Sequence, residues 1–195
     1  MVAYLMEGIE LSISGHPEVY EPSNDTFLLL RALGNARGRA LEIGTGSGIV
    51  AIYLAKKGLD VLATDLNPHA LRLARHNARQ NGAAIEVVRA DMFEGIGGSF
   101  DTIAFNPPYL PTGPEDTTGD RWLDASVNGQ SDGQHFIRRF LSGLRENLTS
   151  RGRAYVVSSS LSGFPKRPPP GLAGRVMAAE KLEFEMLRVH QIRWQ

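Results

Sequence analysis

Short, almost continuous apolar runs alternate along this chain with longer segments of helical character. Residues 40–43, 60–65, 85–90, 100–105 and 153–158 are short and largely aliphatic, and they predict strands buried on both faces. Residues 48–57, 68–81 and 134–147 predict helices between them. In the last of these, Phe136, Ile137, Phe140, Leu141 and Leu144 recur at helical spacing. Gly58 and Gly82 suit the exits of the first two helices, and Pro68 suits the first turn of the second. Strands separated by helices imply a parallel sheet covered on both faces.

The two ends of the chain read differently. Residues 1–20 read as a preamble with a short alternating stretch at Ile9-Glu10-Leu11-Ser12-Ile13. Pro22 and Ser23 stop what precedes, and Ser23 or Asn24 caps a helix predicted to reach about Leu33. Pro165, Pro168, Pro169 and Pro170 exclude a long helix from residues 162–174. Residues 176–179 and 182–194 then read as strands closing one end of the sheet. The expected architecture is a single domain over residues 1–195. Its fold is α/β, with a doubly wound, mostly parallel seven-stranded sheet and an antiparallel C-terminal strand.

Composition narrows the functions open to such a fold. Lys and Arg total 21, as do Asp and Glu, so excess basic charge, the main driver of phosphate binding, is missing. The chain has no cysteine, which excludes disulfides, thiolate metal sites and cysteine nucleophiles. No apolar run approaches the ~20 residues of a membrane helix. The start, Met1 to Glu7, lacks a basic region followed by an apolar block, so a cytoplasmic protein is expected.

The first strand runs into Glu42-Ile43-Gly44-Thr45-Gly46-Ser47-Gly48, which opens a helix. Glycines at such a turn let backbone approach a ligand closely. Asp65 ends the second strand about 20 residues on, where a carboxylate takes the two hydroxyls of a ribose, with Leu66 beside it. Glu42 precedes the loop, where negative charge suits a cationic ligand better than a pyrophosphate. Asp91 ends the third strand, placed for an adenine amino group, with Met92 beside the ring. A sulfonium carrying an amino-acid tail, a ribose and an adenine fits this set, which points to S-adenosyl-L-methionine, with S-adenosyl-L-homocysteine as product. No metal is expected.

Phe105-Asn106-Pro107-Pro108-Tyr109 follows the fourth strand. Two successive prolines fix the backbone and leave carbonyl oxygens free to accept. The Asn106 side-chain oxygen and the Pro107 carbonyl form a pair of acceptors that matches the two donors of an –NH₂ group. Such a pair holds the plane of the group and aims its nitrogen at the sulfonium methyl, so Asn106 belongs to the cofactor wall as well. An amide nitrogen is a poor nucleophile, so positioning and electrostatic support must supply most of the catalysis. Tyr109 offers an aromatic wall to a flat acceptor. Asn106, Pro107 and Tyr109 are the candidate catalytic residues, and Pro108 joins them in the acceptor site.

Together the glycine loop, Asp65, Asp91 and Asn106-Pro107-Pro108-Tyr109 resemble the Rossmann-like class I N-methyltransferases, a group that includes DNA amino-methyltransferases and the HemK/PrmC glutamine methyltransferases. Residues 19–29, Asn106 to Thr112 and, more loosely, Asn128 to Gly133 resemble the archaeal and eukaryotic HemK-like branch. The likeness covers about residues 19–160 and implies methylation of the glutamine of a Gly-Gly-Gln motif in a class I peptide-chain release factor. It further implies that Tyr20, Pro22 and Thr26 help close the cofactor pocket, and that a small zinc-binding activator subunit is a partner. Bacterial members carry an N-terminal helical substrate-binding domain, which is not expected here. Phe164 to Gly171 stands where the family places a last crossover helix.

The residues alone leave the acceptor open. A nucleic-acid adenine or cytosine amino-methyltransferase would use the same geometry, disfavoured by the charge balance. A protein lysine acceptor presents three donors to a two-acceptor site. A non-catalytic binder of S-adenosylmethionine is the alternative outside enzymes. His69, His76 and His135 are expected to be surface or structural. Glu115, Asp116 and Asp120 read as a solvated loop, Lys166 and Arg167 as a solvated basic spot, and Trp122 as a flank of the cleft or an anchor of its loop.

Overall fold

The computed structural model describes residues 1–113, 115, 119–166 and 168–195. In chain order its elements are β1 (Val2–Met6), β2 (Ile9–Ile13), α1 (Asn24–Ala32), a 3₁₀ turn (Leu33–Asn35), β3 (Arg39–Ile43), α2 (Ile49–Lys56), β4 (Asp60–Asp65) and α3 (Pro68–Gln80). They continue as β5 (Glu86–Arg89), β6 (Phe100–Phe105), α4 (Arg121–Val127), α5 (His135–Asn147), β7 (Leu148–Ser159), β8 (Leu172–Lys181) and β9 (Met186–Trp194).

Seven strands form the main sheet in the order β5-β4-β3-β6-β7-β9-β8. Pairings from β5 across to β7 are parallel, and β9 runs antiparallel to both β7 and β8. This is the expected fold. Side-chain alternation splits its core into two layers. Leu41, Ile103, Phe105 and Val156 face one side and pack with Ile137 and Phe140 of α5. Ala40, Ala104, Tyr155 and Val157 face the other and pack with Leu28 of α1 and Ile52 and Tyr53 of α2. No helix among the described residues is long and apolar enough to cross a membrane.

Three features depart from the expectation. The preamble is a hairpin: β1 pairs antiparallel with β2. Its turn is Glu7-Gly8, both at positive φ (47° and 80°) as a two-residue turn of this hand requires. Tyr53 Oη donates to Glu7 Oε2 at 2.6 Å, tying the hairpin to α2. Next, α4 was not foreseen; Asp120 caps it by accepting from the N–H groups of Trp122 and Leu123, each at 2.9 Å. Finally, β7 and β8 are much longer than the apolar runs that announced them. The proline-rich connection between them holds no helix among its described residues, and the Phe164 ring stacks on His190 with centroids 3.8 Å apart.

Gly48 enters α2 at φ 84°, and a Cβ built on it would lie 2.9 Å from the Ala74 Cα of α3. Its lack of a side chain sets how closely the two helices pack. Gly48→Ala is expected to destabilise the fold by about 1–3 kcal/mol, measured as a lower denaturant midpoint; an unchanged midpoint would contradict this packing role.

Candidate active site

Parallel register brings the loops after four strands to one edge of the sheet. Ile43 pairs with Thr64 on one side and with Phe105 on the other, and Asp65 pairs with Arg89. The next residues along each strand therefore stand side by side, as expected for a ligand site at the carboxyl ends of an open α/β sheet. A cavity of about 270 Å³ lies there. Of the residues singled out in the sequence, Glu42, Gly44, Thr45, Gly46, Asp65 and Leu66 line one part of it. Asp91, Met92, Asn106, Pro107, Pro108 and Tyr109 line another, and Tyr20, Pro22 and Thr26 close it from the first turn of α1 and the segment that leads into it. Gly48 is not on the wall; its place is against α3.

Glu42 is only 4% exposed. Its Oε2 accepts from Thr45 Oγ1 at 2.5 Å and from the Ala51 N–H at 2.9 Å. Burial nevertheless pushes its carboxyl up to about 8. A cation in the cavity would restore its charge, so the site suits a positively charged ligand. Asp65 shapes the glycine loop. Its Oδ2 accepts from the Gly46 N–H and its Oδ1 from the Asn67 N–H, both at 2.9 Å. Burial raises its carboxyl as well, against those bonds. Asp91 Oδ1 pairs with Arg139 Nη1 at 3.1 Å. Met92 holds φ 56°, a conformation a non-glycine residue adopts only under constraint, and turns its buried side chain to the cavity.

Opposite these groups, the Asn106 side-chain oxygen is sealed from solvent and has no hydrogen-bond partner among the described residues. Buried acceptors are nearly always paired, so this one marks a place for a donor from outside the chain. The loop that carries it is braced from behind. A Cβ on Gly133 would lie 2.3 Å from the Tyr109 carbonyl oxygen, and the Gly129 N–H donates to the Leu110 carbonyl at 2.9 Å. Thr112 Oγ1 donates to Asn128 Oδ1 at 2.5 Å. The Asn128 to Gly133 segment thus acts as a backing for the Asn106 loop.

Asp25, not singled out in the sequence, ties the two halves of the cavity together. It is 4% exposed, and its Oδ2 accepts from Tyr20 Oη at 3.2 Å and from Tyr109 Oη at 3.0 Å. Its Oδ1 accepts from the Thr26 N–H and from Thr26 Oγ1. Burial and the Asp25 charge push both phenols up, so each remains a donor. Nothing in the local sequence pattern distinguishes Asp25 from a first-turn acid of α1, and only the fold brings Tyr109 to it. Trp122, Ala125 and Phe136 also line the wall, with Trp122 on α4 flanking the cleft.

The remaining candidates lie elsewhere. His76 and His135 are exposed, and Asp120 serves as the helix cap. His69 is half-buried and paired with Glu18. Lys166 is exposed. Asp116 and Arg167 lie outside the described residues.

A family model described as the methyltransferase small domain matches residues 12–183. A putative protein N5-glutamine methyltransferase of Methanocaldococcus jannaschii is 40% identical over 190 residues, covering 94% of this chain and 95% of that protein. Methyltransferase HEMK2 of Mus musculus is 37% identical over 155 residues, 72% of each chain. Among solved structures, the E. cuniculi Mtq2-Trm112 complex, responsible for methylation of the eRF1 translation termination factor, superposes with a TM-score of 0.69 at 26% identity. That match covers 91% of this chain and 99% of the other.

The raised Glu42 carboxyl has a consequence for the ligand-free protein. A carboxyl whose folded value exceeds its unfolded value stabilises the fold fully below the unfolded value and loses that contribution as pH rises through the folded one. For Glu42 the window runs from about 4.5 to about 8. Glu42→Gln removes this dependence, so it is expected to gain stability relative to the parent as pH rises through the window. Paired thermal melts across that range check this; parallel pH profiles would show that Glu42 stays charged.

Proposed function

We propose that this chain, which belongs to the methyltransferase small domain family, methylates the side-chain amide nitrogen of a glutamine in a peptide-chain release factor, with S-adenosyl-L-methionine as methyl donor. The observation that carries the proposal is the buried, unpaired Asn106 oxygen. When bound, S-adenosylmethionine supplies an electrophilic methyl group on a cationic sulfur. The residues here fit such a ligand: Glu42 for positive charge, Asp65 for the ribose and Asp91 with Met92 for the adenine, with Tyr20, Pro22 and Thr26 closing over it.

On the acceptor side, Asn106 Oδ1 and the Pro107 carbonyl take the two N–H donors of the amide. The pair holds the amide plane and leaves one face of its nitrogen toward the donor. Both acceptors also favour the positive charge that develops on nitrogen as the N–C bond forms. The proton becomes acidic only then, so no strong base is needed beforehand. Tyr109, fixed through Asp25, walls the flat amide.

Glutamine enters through the relatives, whose names specify protein glutamine and a translation termination factor. The E. cuniculi relative is a complex with Trm112, and a small activator subunit of that kind is part of the proposal for this chain.

Incubation with methyl-labelled S-adenosylmethionine and either release factor or DNA tests the acceptor. Label is expected on a release-factor glutamine; label in DNA but not in release factor would overturn the reading. Asn106→Ala is expected to lower the rate of transfer by about 10²–10³-fold while S-adenosylhomocysteine affinity changes far less. Transfer at the parental rate in that variant would remove Asn106 from the chemistry.

A further inference from the structure

Outside the cavity, the fold assembles three side chains that the sequence keeps apart. His16 and Glu18 lie between β2 and α1, on the segment that continues into Val19 and Tyr20 at the cavity wall. His69 lies in the first turn of α3, just after Asn67 and Leu66. His69 Nε2 stands 3.0 Å from Glu18 Oε2, and the two imidazole rings lie 4.9 Å apart. One ligand atom from each of the three falls within 4.8 Å of the other two. All three residues are half-buried, so the cluster is neither a solvated charge run nor sealed from entry.

We propose that His16, Glu18 and His69 bind a divalent transition-metal ion of the zinc class, which fastens the cofactor-closing segment to the loop that holds Asp65. Two imidazoles and one carboxylate are a donor set that such ions take, with a fourth position left to water. Hard cations such as Mg²⁺ or Ca²⁺ favour oxygen donors and are disfavoured by the two nitrogens. Donors about 2.0–2.2 Å from a tetrahedral ion are separated by roughly 3.3–3.6 Å. Side-chain rotation of His16, in the loop after β2, and of His69, in the first turn of α3, would close the difference.

Two neighbouring contacts change when the ion binds. The metal takes the place of the proton between His69 Nε2 and Glu18. His69 Nδ1 then carries its own proton and releases Arg72, whose exposed guanidinium now donates to it at 3.2 Å. At His16, Nδ1 accepts weakly from the Glu18 N–H at 3.2 Å, a bond given up when Nδ1 ligates the ion or takes a proton.

The link to the cavity is short. The Glu18 carbonyl accepts from Asn67 Nδ2 at 2.7 Å, and the Asn67 N–H donates to Asp65 Oδ1 at 2.9 Å. An ion on Glu18 therefore fixes both the lid that carries Tyr20 and the carboxylate on the other side of the pocket. Metal binding would order the cofactor site before the cofactor arrives, and this second part of the inference rests on the proposed methyltransferase function.

Calorimetric titration of the chelator-stripped full chain with Zn²⁺ tests the site, with Co²⁺ as a spectroscopic probe. The expected result is one equivalent bound, intense visible d–d absorption from four-coordinate Co²⁺, and no competition from Mg²⁺. His16→Ala, His69→Ala and Glu18→Gln, each with parental melting without metal, should weaken binding by about tenfold or more. Arg72→Gln should tighten it. Zn²⁺ should also tighten S-adenosylhomocysteine binding severalfold in the parent and not in the His16→Ala/His69→Ala double variant. Absence of binding, or affinity unmoved by either histidine substitution, overturns the site; zinc bound without effect on S-adenosylhomocysteine overturns its role. Failure to methylate release factor with zinc binding intact counts against the proposed function and not against this site.

Discussion

An amide oxygen withdrawn from water and given no donor is the constraint around which this site is arranged. Leaving a buried acceptor unsatisfied costs about 1–3 kcal/mol, and a side chain free to turn would relieve that cost. Asn106 cannot do so readily because its surroundings are fixed. It leaves the end of β6, whose neighbours β3 and β7 are paired on both sides. Pro107 and Pro108 then restrict the backbone, and the Asn128 to Gly133 segment packs against the turn that follows. The oxygen is thus held without a donor among the described residues.

The same logic governs the other half of the cavity. Glu42 is buried beside a glycine loop with its charge disfavoured by burial, and a cation in the cavity would favour its carboxylate form. Asp25 joins the halves. One carboxylate takes hydrogen bonds from Tyr20 on the closing segment and from Tyr109 on the acceptor loop. Asp25 thereby ties the closing segment directly to the acceptor wall. The cluster of His16, Glu18 and His69 sits at the far end of that same segment, where an ion would act on the lid without touching either ligand.

Much of the fold could be read in advance because its central strands are buried on both faces. Residues 60–65 and 100–105 announced β4 and β6 with the same bounds, and the glycine loop and Asn106 motif fell at the strand ends where parallel topology puts them. What escaped depends on contacts distant in sequence. The first hairpin has an exposed face and an Glu7-Gly8 turn too plain to stand out, and it is anchored by Tyr53 far along the chain. β7 starts at Leu148 in a polar stretch that only its place beside β6 makes a strand. Asp25 looks like any acid in a first helical turn until Tyr109 is brought to it. Gly48 belongs to the motif by spacing but serves the packing of α2 on α3.

In the proposed function, recognition of the acceptor amide rests on one pair of atoms, and a structure can read them directly. The most direct measurement is a crystal structure of the protein with S-adenosylhomocysteine and a Gly-Gly-Gln peptide. The account predicts the glutamine nitrogen within hydrogen-bond distance of both Asn106 Oδ1 and the Pro107 carbonyl, one face toward the sulfur. A glutamine amide bound elsewhere, with Asn106 Oδ1 paired to the protein's own groups, would contradict it.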